Sequence, residues 1–339
     1  MAENKRLIWA DALRCLLILF VVLGHSLQFG DFENRISWNI INSFHVAAFF
    51  FISGFVSYKI TYKVSSIKRK FQQLMLPFLT WTLLGILIHR GGYTELMTAF
   101  LHPDGAYWFV WVLFFIVTLF ILIHNISYIS YISYISFKNR WNKSVGYEDL
   151  CLLLVILALI LVMVVFDYRL YGFQFFALYF GFFVYGYWLR KFDINLKAWT
   201  VFLLGTLWLI FALFWRKHEV PLPLVNVSFV PASILTYSYR YITAFIGSLF
   251  FVGLAMNLMN KENFVIRCLC YLGKISLGIY IIHLFIGRYV SNIFESFFNS
   301  NISIPFVFCD FVTKLIISIV LINIIQKIPY LKLLLLGKK

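Results

Sequence analysis

Long apolar runs separated by short polar stretches fill this chain from end to end, and their lengths match a bilayer rather than a strand or an amphipathic surface helix. The pattern predicts spans at about Leu7 to Phe29, Ile40 to Ile60, Leu76 to His89, Ala106 to Ile126 and Leu150 to Phe166. Five more follow at about Phe173 to Leu189, Ala198 to Trp215, Tyr241 to Met259, Ile275 to Phe294 and Ile304 to Ile325. The expected fold is therefore all-α: a polytopic membrane protein forming a single bundle of about ten transmembrane helices, read as one domain over residues 1–339.

The polar positions inside these runs carry the chemistry. A charge near the middle of a membrane helix costs about 2.5–3.5 kcal/mol on insertion scales, so an ionisable residue there reads first as functional. Arg14 and His25 lie eleven residues apart, which on an ideal helix returns them to within about 20° of one face and roughly 16 Å along it. Asp11, three residues before Arg14, shares that side and can pair with it. His45, early in a second span running the opposite way, is expected at the same outer level as His25. An imidazole suits general-base work on a hydroxyl, worth about 10²–10⁴ in rate, and makes His25 and His45 catalytic candidates with Arg14. The competing reading of each is a hydrogen-bonded core histidine. Ser53-Gly54-Phe55 reads as a packing site where a neighbouring helix comes close, rather than as a nucleophile.

Composition confirms the solvent. Apolar residues make up 62% of the 339, charged residues only 13%, and mean hydropathy is +0.86. The net charge of +15 would suit nucleic acid, but the cations sit between spans and form no continuous face, so no nucleic-acid partner is expected. They set topology instead. With a cytoplasmic amino terminus, about twenty of them fall on inner connections and about six on outer ones, which predicts an inner-membrane protein with both termini cytoplasmic. Lys5 and Arg6 precede a run with no small-residue cleavage site, as in a retained first span.

Cys15, Cys151, Cys268, Cys270 and Cys309 lack the spacing and companions of a zinc site and read as packing residues, with no metal expected. Tyr-Ile-Ser repeats three times from Tyr128 to Ser136, a period matching no helical or strand face, and reads as a linker. Pro221, Pro223 and Pro231 suggest an extended outer cover between Arg216 and Arg240. On the inner side, Lys68, Arg69 and Lys70 precede Pro77-Phe78 on a segment read as lying at the membrane surface. Phosphate is their natural ligand, and anionic lipid the plain alternative. Trp108 opens the fourth span within an interfacial aromatic group.

Taken in order, these residues resemble the acyltransferase-3 family of integral-membrane sugar O-acetyltransferases, including fucose 4-O-acetylase-like members. The resemblance rests on Asp11-x-x-Arg14, His25, Phe44-His45 leading into Phe49 to Phe55, the basic run before Leu76-Pro77-Phe78, Trp108-Phe109, the aromatic Phe180 to Leu189, and Leu272 to Leu277 leading through Tyr280 to His283. It covers about residues 5–325. It implies an acyl-CoA co-substrate, acetyl-CoA above all, read from the cytoplasm, and a carbohydrate hydroxyl acylated at the outer face. Arg14 would orient the donor, His25 would act at the transfer centre, and Lys68, Arg69 and Lys70 would meet donor phosphates, with Asp11, Ser53, Trp108 and His283 in support. Many members have a His just before Trp-Phe, where this chain has Ala106 and Tyr107; His102 is near in sequence. The chain carries no appended hydrolase-like domain, so a second transfer step would need glycan-assembly partner proteins.

Two functions fit. One is a membrane-bound O-acyltransferase acting on a surface polysaccharide, glycolipid or lipid-linked sugar. The other is a transporter of polar cargo whose Arg14 and histidines line a path without making bonds. The halves show no duplication of the kind many transporters have, which favours the enzyme.

Overall fold

The computed structural model describes residues 7–28, 35–59, 62–103, 105, 107–135, 146–166, 168–217, 219–227, 229–298 and 304–338, the side chains of 128–135 excepted. Helices stand at all ten expected places, and eight described stretches are long and apolar enough to cross a membrane. They include α1 (Ile8–Gln28), the pair α2 (Ile36–Asn42) and α3 (His45–Ser57), and the stretch α4 (Ser65–Lys70) to α5 (Leu76–Ile88). Next come α6 (Tyr93–Leu101), a short helix, α7 (Trp108–Ile135) and α8 (Tyr147–Phe166). Two expected spans fall outside the eight. α9 (Phe173–Lys191) carries three Tyr, Gln174, Arg190 and Lys191 and few aliphatics, and α10 (Ala198–Leu213), at 16 residues, is short. The remainder are α11 (Ala232–Leu258), α12 (Phe264–Lys274), α13 (Ser276–Phe297), α14 (Ile304–Gln326) and α15 (Pro329–Leu336).

The chain divides into two compact units, residues 1–56 with 185–324, and 57–184 with 325–339. In the first, α1 is the central element and most of it is buried. It packs along α12 so closely that a Cβ on Gly273 would meet the Asp11 carbonyl oxygen at 1.8 Å, which only glycine avoids. α9 crosses α3 in the same way, Gly186 lying against the Phe51 carbonyl, also at 1.8 Å. This close approach uses a glycine on the facing helix, α9. Aromatic rings fill the adjoining core: Phe44 stacks on Phe251 at 4.0 Å and meets Trp208 edge-on at 5.1 Å.

Three connections differ from the sequence reading. α4 runs through a π-helical turn, Phe71–Met75, into α5, so Lys68, Arg69 and Lys70 form the first turns of a 24-residue stretch of span length, not a separate surface segment. α7 remains helical through Ile135, beyond its apolar part; Tyr-Ile-Ser contains neither Gly nor Pro to stop it, so the repeat is helix rather than linker as far as described. α11 starts at Ala232, directly after Pro231, which shortens the outer cover. That loop is pinned by Lys217 over the Trp38 ring at 5.4 Å and Arg240 over Trp215 at 5.4 Å. None of the five cysteines forms a disulfide; Cys15 is buried, but Cys268 is exposed and does not pack as expected.

Candidate functional site

The break between α2 and α3 builds one side of the site. In an uninterrupted helix the Ile41 carbonyl would take the amide of residue 45. The chain turns at Ser43 and Phe44 instead, and the His45 ring donates from Nδ1 to that carbonyl at 2.6 Å. Ser43 Oγ donates to Ile40 O at 2.8 Å and accepts from Trp208 Nε1 at 3.1 Å, which locks the turn against α10. His45 is buried, and its imidazole lies within electrostatic reach of His25.

α13 supplies the opposite side. His283 is 1% exposed, and its Nδ1 donates to Ile279 O at 2.8 Å. Its ring centroid lies 5.4 Å from that of His25, the planes 46° apart. His25 itself, three residues from the end of α1, is partly buried and shares a side-chain hydrogen bond with Gln28. Three helices therefore converge three imidazoles in one unit. His45 holds its Nδ1 proton on a carbonyl of the preceding helix, α2, and His283 on one of its own helix, so both present Nε2 as an acceptor.

Beside them lies a buried charge cluster that the sequence reading passed over. Lys314 Nζ donates to Asp310 Oδ2 at 2.5 Å and to Ser291 Oγ at 2.9 Å, while Ser291 Oγ donates to Asp310 Oδ1 at 2.9 Å. All three residues are at most 2% exposed. His283, Gly287 and Ser291 recur at four-residue steps on α13, and Lys314 Cε lies 3.8 Å from where a Cβ on Gly287 would be. The cation is within electrostatic reach of both His25 and His283. Its signal was in the sequence: Asp310 and Lys314 stand at i,i+4 within an apolar run, the same kind of interruption that singles out Arg14.

Arg14 donates to Asp11 at 3.2 Å, the pair that their spacing suggests, with Asp11 buried and Arg14 partly exposed. α1 is unbroken between Arg14 and His25, which keeps them roughly 16 Å apart along its axis. Ser53 Oγ donates to Phe49 O at 2.7 Å, committing its hydroxyl to its own helix.

The remaining candidates belong to the second unit. Lys68 and Arg69 are exposed and Lys70 partly so. The carboxy-terminal helix packs beside their π turn: Trp81 Nε1 donates to Leu335 O at 2.9 Å, and Gly337, at φ 62°, sits against the carbonyls of Gln72 and Gln73. Trp108 stacks on Phe175 at 4.4 Å and on Tyr179 at 5.6 Å. His102 is exposed after α6, and Ala106 lies outside the described residues.

A helical membrane protein with imidazoles and a charged triad converging inside its apolar helices has the make-up of a membrane enzyme rather than a passive bundle. The acyltransferase-3 family model, described as an acyltransferase domain, matches residues 7–323. The chain belongs to that family, and it is an acyltransferase transferring a group other than an amino-acyl group. No curated protein and no solved structure shows significant similarity to it.

Proposed function

We propose that this chain moves an acyl group, acetyl in the first instance, from acyl-CoA to a hydroxyl of a surface polysaccharide, glycolipid or lipid-linked sugar. The convergence of His45 and His283 on His25 within a chain of this family is the observation that carries the reading. His25 is the least buried of the three, and so the imidazole that donor and acceptor can reach. In direct transfer, the hydroxyl proton passes to His25, the oxygen attacks the thioester carbon, and the C–S bond breaks. The imidazolium then returns its proton to the CoA thiolate. A double-displacement route would place the acyl group on the imidazole first.

Arg14 is proposed to hold the polar arm of the donor along α1. Lys68, Arg69 and Lys70 are proposed to take its phosphates, at the opening of a helical stretch, where anions are favoured. The distribution of cations supports residence in an inner membrane with both termini cytoplasmic. Membrane lipid is the surrounding partner, and glycan-assembly proteins would handle any later transfer step.

The test is acetyl-CoA cleavage by purified protein in detergent, with and without candidate sugars. Acceptor-dependent release of CoA thiol is the expected result. Transport of the sugar without thioester cleavage would replace the enzyme with the transporter.

A further inference from the structure

One buried lone pair has no use in the resting protein. Among the described residues, His283 Nε2 is buried without a hydrogen-bond partner. Its Nδ1 proton is held by the Ile279 carbonyl, so Nε2 is an acceptor only. Leaving such an atom unpaired costs about 1–3 kcal/mol, so a residue kept there for packing alone would be better replaced by an apolar one. The ring nearest to that of His283 among the described ring contacts is His25, at 5.4 Å between centroids, ahead of Tyr280 on its own helix at 6.0 Å. Two imidazoles joined by an N–H···N bond of about 2.9 Å have centroids about 5 Å apart, so a small rotation of the partly exposed ring, which exchanges its bond to the exposed Gln28 for one to His283, closes the gap.

We propose that His283 is the positioning partner of His25: it accepts the His25 N–H at Nε2 and thereby fixes which His25 nitrogen offers its lone pair to the acceptor hydroxyl. The assignment rests on the acyl-transfer reading for its purpose, but not for its geometry. When His25 takes the hydroxyl proton, the imidazolium formed still donates to His283. No proton leaves the pair until the departing thiolate claims it. His283 is too deeply buried to meet the hydroxyl itself and is therefore not the base. Gly287, one turn further on α13, leaves room for the stem of Lys314 beside this stripe, which sets a cation within electrostatic reach of both members of the dyad.

Two substitutions separate position from packing. His283→Asn keeps a donor for Ile279 O but deletes the atom at Nε2; His283→Gln puts an amide oxygen, still an acceptor, near the Nε2 position. The expected kcat for acetyl-CoA-dependent transfer falls about 100-fold in the Asn variant, with KM for acetyl-CoA within about twofold, and the Gln variant recovers at least about tenfold of that loss. Equal losses in the two, or an Asn variant with at least half the wild-type kcat, overturn the proposal. A measurement on the unaltered protein covers the case in which neither variant folds. In ¹⁵N-histidine-labelled protein in detergent, His283 is expected as the Nδ1–H tautomer with an N–H···N coupling to His25. An Nε2–H tautomer at His283 overturns the dyad. Absence of any acceptor-dependent thioester cleavage in the wild type would sink the acyl-transfer reading instead and leave this coupling unaffected.

Discussion

His124 and His283 are both buried histidines in long apolar helices, yet their surroundings differ in kind. In the second unit, His124 Nδ1 bonds Glu148 Oε1 at 2.9 Å, and the Tyr62 ring meets its face edge-on at 4.5 Å. Tyr62 in turn donates to Ser57 O at 2.6 Å, and burial pushes its phenol well above the usual range, so it is a neutral donor throughout ordinary conditions. His124 is thus a strut between α7, the start of α8 and the connection after α3. In the first unit, His45 and His283 each spend one nitrogen on a backbone carbonyl, and His283 Nε2 is left buried without a hydrogen-bond partner among the described residues. Burial alone does not separate the two cases. What separates them is whether a carboxylate already claims the ring or a lone pair is left over.

That contrast can be broken most directly at His25. His25→Ala is expected to cut acyl transfer about 10²–10⁴-fold at unchanged membrane abundance. Glycan acylation near wild-type level, assayed by mass spectrometry at matched expression, would return the cluster to a packing role. The buried pair gives the next largest effect. Lys314→Met leaves Asp310 with an uncompensated charge and is expected to destabilise the protein by about 3–5 kcal/mol, whereas Lys314→Met with Asp310→Leu recovers most of it. If thermal unfolding in detergent shows the double variant no better than the single, the triad is not a simple ion pair.

The strut should behave differently. His124→Phe removes a charge-assisted bond to Glu148 and is expected to cost about 1–2 kcal/mol of stability while leaving kcat per folded molecule unchanged. A kcat effect comparable to that at His283 would erase the distinction. The smallest effect is expected at Ser53→Ala, because its hydroxyl is bound to Phe49 O and a surface-type change of stability is within about 0.5 kcal/mol. A tenfold fall in turnover would restore Ser53 to the chemistry.

The site was only partly legible along the chain. Arg14, Asp11 and His25 share one helix, so their relation follows from rise and rotation, and the Arg14–Asp11 bond is the local contact those predict. His45 was visible as a polar interruption, but its ring bond to Ile41 depends on a helix break that no periodicity announces. Asp310 and Lys314 carried the same warning as Arg14 and were overlooked, although their i,i+4 spacing in an apolar run announces a pair. Ser291, which completes the triad, had no signal at all. A serine in a membrane helix more often bonds its own turn, as Ser53 and Ser248 do.

The sequence by itself determined the solvent and the class. Apolar runs of bilayer length admit only helices, because every backbone donor and acceptor must be satisfied within its own segment, and the ordered motifs lead to the family that the match over residues 7–323 shows. Only the tertiary structure decided which histidines meet. α1 and the turn before α3 are held against α12 and α11 by a close backbone crossing and aromatic packing, Gly273 on Asp11 and Phe44 on Phe251, and α13 follows directly on α12. Those contacts join residues more than two hundred positions apart, and neither hydropathy nor helical period carries information over such a distance. The lone pair left on His283 arises the same way. Its Nδ1 partner is four residues off and local, while the imidazole it faces comes from the other end of the chain.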